Sequence, residues 1–241
     1  METKKRKLSI TIMGLVVLGA FAIANAEDFA PPPWAGQPLT VWADWDYIGT
    51  PLPAPPSTDN PATAWGNAGP GPNNEQLYPG LQWPVAAVDG VEDFEAVAEG
   101  WKSLSDDATL HYNLPNYIDN VPSKLIRVEF TYLDPDNTGK TPFIRWIEFF
   151  DPTIPGGMDS FDPVQGNAVT TVWQTPSPPG MKGQIYEDWI LMPNPDWEII
   201  TVAVPSGIIL QETFIHTISP EPATLGLLVL GGMGLLRRRR T

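Results

Sequence analysis

The chain has 241 residues, 14 of them basic and 28 acidic, for a formal net charge of −14. It has no cysteine and only two histidines, His111 and His216, which excludes disulfide scaffolds, thiol catalysis, haem attachment and multi-histidine zinc sites. The 28 prolines and 21 glycines argue against long helices, while ten tryptophans supply apolar mass for a core.

The first segment is basic: Lys4, Lys5, Arg6 and Lys7 precede an uncharged run from Leu8 to Ala24. Ala24-Asn25-Ala26 follows with the small side chains that signal peptidase accepts in its shallow pockets. These three parts predict a secretory signal peptide over residues 1–26, forming a signal helix and cut by signal peptidase between Ala26 and Glu27.

The body, residues 27–218, is expected to be a single extracytoplasmic domain. After an extended arm at 27–38, Leu39 to Tyr47 has the composition of a strand. Residues 49–84 read as a long loop rich in Pro, Gly, Asn and Ser, with Trp65 and Trp83 embedded in it. Val91 to Trp101 is ambiguous. Ala108 to Leu114 reads as a strand, and Lys124 to Leu133 alternates clearly. Ile126, Val128, Phe130 and Tyr132 share one face, and Arg127, Glu129 and Thr131 share the other. The turn cluster Asp134 to Gly139 predicts a hairpin from this strand into Phe143 to Phe150. Ala168 to Gln174, Gln184 to Met192, Glu198 to Val204 and Ile208 to Ile218 complete the set. Eight or nine short strands with Pro/Gly turns, and no helical pattern between them, predict an all-β fold, a jelly-roll-like β-sandwich.

The last segment, 219–241, again has three parts. Pro220-Glu221-Pro222 comes first. An apolar run from Ala223 to Leu236 comes next, and Arg237, Arg238, Arg239 and Arg240 follow. As a helix the run would span roughly 21 Å, short against a hydrocarbon core of about 30 Å. Arginine snorkelling and local thinning of the bilayer cover part of that difference. The arginines stop transfer and hold that end in the cytoplasm. The two prolines keep the residues around Glu221 extended.

This tail resembles the PEP-CTERM sorting domain of exported bacterial proteins, on Pro220-Glu221-Pro222, Ala223-Thr224, the apolar run and the arginine cluster. The body is also similar to other small exported proteins with this tail, in its arm at Pro31 to Pro38 and its segment at Pro193 to Ile200. The resemblance implies a transmembrane helix in the tail and recognition by an exosortase-type transpeptidase. The protein would be held transiently in the inner membrane and then passed to the cell envelope or the outside.

The leader and the tail each take four basic residues and one acidic residue, which leaves the body 6 basic and 26 acidic, a net of −20. Such a surface repels nucleic acid and anionic lipid, so no nucleic-acid partner is expected.

Candidate chemistry in the body is sparse. Asp134, Asp136 and Thr138, followed by Gly139, place oxygens at alternate positions as a calcium turn does. The twelfth position, where an EF-hand carries Glu, is Arg145. The same residues also read as a hairpin loop in which Asp134 and Asn137 satisfy nearby backbone groups. Calcium is the one cofactor the sequence suggests. Trp34, Trp65 and Trp83 lie in loop-like sequence, either as stacking platforms for an extracellular polysaccharide or as anchors for the loops. Glu92/Asp93/Glu95, Glu187/Asp188 and Glu129/Glu148 read as solvated strand faces, and no carboxylate pair is marked out for glycoside hydrolysis. The expectation is a non-enzymatic, exported protein with a structural or adhesive role. A carbohydrate-binding module is the alternative, and a polysaccharide-active enzyme stands third.

Overall fold

The computed structural model describes residues 32–54, 59–68, 76–77, 84–118, 123–150, 158–161, 170–191 and 197–219. The leader with Ala26 and Glu27, the residue Trp83, and the tail with its sorting motif and arginines lie outside them. So do the signal helix and the transmembrane helix expected there. Among the described residues no helix is long and apolar enough to cross a membrane.

The regular secondary structure of the described residues is almost entirely strand. In chain order these are β1 (Thr40–Asp46), β2 (Asp59–Pro61), β3 (Ala64–Asn67), β4 (Gln76–Leu77), β5 (Val85–Asp89), β6 (Phe94–Val97), β7 (Gly100–Ser103) and β8 (Thr109–Pro115). They continue with β9 (Tyr117–Ile118), β10 (Lys124–Asp134), β11 (Phe143–Phe150), β12 (Met158–Phe161), β13 (Thr170–Pro176), β14 (Met181–Leu191), β15 (Trp197–Ala203) and β16 (Ile209–Ile218). A single 3-10 turn, Val91–Asp93, precedes β6.

The strands form two large antiparallel sheets in a sandwich-like arrangement. The larger runs β13-β14-β10-β16-β1-β3, with β7 paired to β16 and β6 to β7. The other runs β12-β11-β15-β8-β5-β2, and β4 and β9 make a small separate pair.

Three local expectations change. The loop at 49–84 holds three short strands, β2, β3 and β4, too brief to carry a readable alternation. The ambiguous stretch from Val91 becomes the 3-10 turn followed by the β6–β7 hairpin. Most consequentially, β10 and β11 are not a hairpin. β10 pairs with β14 and β16, whereas β11 pairs with β12 and β15 in the other sheet. The turn after Asp134 therefore carries the chain from one sheet to the other.

The main core lies between the sheets, with a small separate cluster of Leu39, Val41 and Tyr117 beside it. Ile126, Val128 and Phe130 of β10 are fully buried there, as are Leu110 and Tyr112 of β8 and Ile200 and Val202 of β15. Removal of this apolar surface from water is the main favourable contribution, at roughly 25 cal/mol per Å². Aromatic rings add to it: Trp45 of β1 meets Tyr112 of β8 edge-on across the two sheets at 4.8 Å between centroids, and on the larger sheet's own side Tyr47 meets Trp101 at 4.6 Å. Their polar atoms are satisfied, as burial requires. The Tyr47 and Tyr112 hydroxyls lie 2.6 Å apart, and Tyr112 donates to the Thr213 hydroxyl of β16 at 2.9 Å. Trp101 Nε1 donates to the carbonyl of Thr50. Glu187 of β14 also points inward and accepts the backbone N–H of Ile144 in β11 at 2.9 Å, a direct sheet-to-sheet hydrogen bond.

Candidate functional site

The outer face of the larger sheet carries a connected group of polar and aromatic side chains. Residues directly opposite in antiparallel strands share a face. The pairing therefore sets Asp188 of β14, Arg127 of β10, His216 of β16 and Trp42 of β1 in one row. Tyr186, Glu129, Phe214 and Asp44 form the next row.

Arg127 is the centre of this group. Its Nε and Nη2 donate to the two Asp188 carboxylate oxygens at 2.6 and 2.7 Å, a bidentate fork. The guanidinium carbon lies 3.9 Å from the Tyr186 ring centroid and 5.4 Å from that of Trp34. A guanidinium stacks on such ring faces while keeping its in-plane donors for the carboxylate. The arm before β1 delivers Trp34 to this place. A turn closes from Ala35 N to the Pro32 carbonyl, and the Thr40 hydroxyl donates to the Trp34 carbonyl. Trp34, Leu125, Thr170, Tyr186, Asp188 and Ile190 line a groove of about 340 Å³. Ile190 on its rim is exposed.

Glu129 sits beside the fork and is 1% exposed. Neither of its carboxylate oxygens has a hydrogen-bond partner, and the Arg127 Nη1 is 3.9 Å away. Burial pushes its carboxyl up to about 8; Asp188 and Glu212 add to the rise and Arg127 opposes it. His216 is held down to about 4 by burial and by the Arg127 charge, so it is neutral at neutral pH. The rings of Trp42 and Phe214 stack nearly parallel at 5.7 Å, and Phe214 meets the His216 ring at 4.4 Å. Gly66 of β3 makes room here, since a Cβ on it would stand 3.0 Å from the Trp42 indole.

No family model matches the chain, and no curated protein matches it.

The sequence-derived candidates distribute unevenly around this face. Trp34 belongs to it. Trp65, on edge strand β3 opposite Ala43, shares the face of that core residue and is 38% exposed, so it stands apart from Trp34. The turn at Asp134, Asp136 and Thr138 is elsewhere. There the Asp134 carboxylate accepts from the Thr138 hydroxyl and, at 2.8 Å, from the Gly139 N–H. Asn137 donates its N–H to the Asp134 carbonyl and takes a positive φ of 51°. These are the hydrogen bonds of a self-satisfied loop; Asp136 is exposed at its tip. Among the described residues no three His, Asp or Glu side chains are grouped to hold a metal ion.

Two of the expected solvated faces are corrected. Glu129 and Glu187 are 1% and 3% exposed. Alternation assigns a residue to a face but says nothing of what packs over that face. No motif in the sequence marks Arg127, Tyr186, Asp188, His216, Trp42 or Phe214 as a group. The local signal is that Arg127 and Glu129 share the face of β10 opposite its apolar residues Ile126, Val128 and Phe130.

Proposed function

We propose that this chain is an exported protein of the cell envelope or extracellular matrix, with a structural or adhesive and non-enzymatic role. Signal peptidase removes residues 1–26, and an exosortase-type transpeptidase acts on the tail at 219–241. The protein is anchored transiently in the inner membrane on its way out. The observation that carries this reading is the order of features at the C-terminal end: Pro220-Glu221-Pro222, the apolar run, then Arg237 to Arg240. Without cysteine, the exported domain would rely on its apolar core and its hydrogen bonds in place of disulfides. A jelly-roll-like winding is supported by repeated crossings of the chain between the two sheets. Cell fractionation of the wild type against a Pro220→Ala/Pro222→Ala variant tests the sorting step. The wild type should reach the envelope or medium and the variant should accumulate in the inner membrane. Identical destinations would overturn it.

The groove at Trp34 favours a second reading, a carbohydrate-binding module for an extracellular polysaccharide. Pyranose rings lay their C–H faces on aromatic side chains and donate hydroxyls to carboxylates, and Trp34, Tyr186 and Asp188 offer both. The net charge of −20 calculated for the body disfavours acidic glycans. Pulldown on insoluble neutral polysaccharides should retain the wild type, and Trp34→Ala should reduce retention at least about tenfold, the loss of roughly 1.4 kcal/mol. Trp65→Ala should bind as wild type. Equal retention of the Trp34→Ala variant would reject this site.

A further inference from the structure

A second buried cluster lies at one end of the body, away from the outer face. Asn116 directly follows β8 in the smaller sheet, and Lys124 opens β10 in the larger one. Glu198 lies in β15, beside β8. Asn116, Lys124 and Glu198 are 1%, 1% and 0% exposed. One carboxylate oxygen, Glu198 Oε2, receives both the Lys124 amine, at 3.1 Å, and the Asn116 side-chain amide. The Asn116 carbonyl oxygen, Oδ1, accepts the Thr217 hydroxyl of β16 at 3.1 Å.

These are the parts of an acyl-transfer site. An ammonium and a carboxylate without water are costly, and burial favours the neutral amine and the neutral acid. Burial raises the Glu198 carboxyl in that direction, although Lys124 and Asn116 oppose the rise. A neutral amine is a nucleophile. The Asn116 amide carbon is the electrophile, and the Thr217 hydroxyl is placed to support charge developing on Oδ1. Glu198 touches both reacting nitrogens, which is where a proton relay has to stand.

We propose that Lys124 and Asn116 become joined by an intramolecular amide bond, formed within the folded protein with Glu198 as the catalytic residue. The Lys124 Nζ attacks the Asn116 Cγ, and the Nζ–Cγ bond forms. The Cγ–Nδ2 bond breaks, and Nδ2 leaves as ammonia. Glu198 gives its proton to Nδ2 and receives one from Nζ, so the acid is regenerated. Nothing is oxidised or reduced, and no co-reactant is required. The product ties the end of a strand in one sheet to the start of a strand in the other, a covalent cross-link in a chain without cysteine.

Tryptic mass mapping of the purified full chain decides the matter. Trypsin cuts after unmodified lysine, so a chain without the cross-link gives peptides 103–124 and 125–127. The cross-linked chain gives a single peptide, 103–127, lighter by about 17 Da for the lost ammonia. Ring closure at Asn116 alone would show the same mass loss but normal cleavage after Lys124, and would overturn the proposal. So would a full-mass chain with the Asn116 amide intact. The near-isosteric Glu198→Gln variant should restore both full mass and cleavage. Persistence of the cross-link in that variant would remove Glu198 from its role. The wild-type measurement stands even where the variant does not fold.

Discussion

Glu129 shows how one side chain sets a pH response. Its carboxyl titrates near the ordinary 4.5 in an unfolded chain and at about 8 in the folded one. Between those values the folded protein keeps a proton that the unfolded chain has released. Stability therefore falls as pH rises through that window and levels off above it. Asp188, Glu212 and Arg127 are the charges that act on it. His216 acts in the opposite sense: its folded value is lowered from 6.5 to about 4, so its contribution is lost as pH falls through that range. Glu129→Gln removes the first response and leaves the second. Urea melts at about pH 5 and about pH 8 should show the variant gaining at least about 1 kcal/mol on the wild type across that interval, because a tenfold change in proton affinity between the folded and unfolded chain is worth about 1.4 kcal/mol. Parallel pH profiles for the two proteins would contradict a buried carboxyl that accepts no hydrogen bond.

At the scale of the element, β10 is the most legible part of the chain. Its alternation correctly places Ile126, Val128 and Phe130 in the core. Its neighbours are not legible. A turn such as Asp134 to Gly139 has the same local chemistry whether it closes a hairpin or hands the chain to another sheet. β14 and β16 pair with β10 from about 60 and 90 residues away. The short β2, β3 and β4 are hidden by their Pro- and Gly-rich surroundings. Of the outer-face site, only Trp34 is legible, because the fork between Arg127 and Asp188 depends on that distant pairing. Gly100, at the start of β7, marks where packing overrules composition. Its φ is +142°, and a Cβ would stand 2.2 Å from the Leu210 carbonyl oxygen of β16. Gly100→Ala should cost more than about 2 kcal/mol through strain and displacement of that strand pair. A chemical denaturation curve superimposable on the wild type would show that the close approach is relieved at no cost.

For the whole molecule, the decisive arrangement is the place of β16. The last described strand lies inside the larger sheet, between β10 and β1, with β7 also paired to its early residues. Contacts this remote in sequence make closure of the sheet slow compared with local hairpins. They also mean that the larger sheet cannot close until the end of the body has been delivered. The hydroxyl chain of Tyr47, Tyr112 and Thr213 joins the residue after β1, β8 of the other sheet and β16, which ties closure of the core to closure of the sheet.

The register of β16 carries one more consequence. Its final residue, Ile218, lies opposite Thr40 on one side and Leu125 on the other. Ladder hydrogen bonds run perpendicular to their strands. Tension applied at residue 219 acts along β16, across both ladders at once. The bonds bear that load together in shear rather than parting one after another like a zip. A body pulled from this end resists as a grip, with its strength set by the length of the two ladders beside β16.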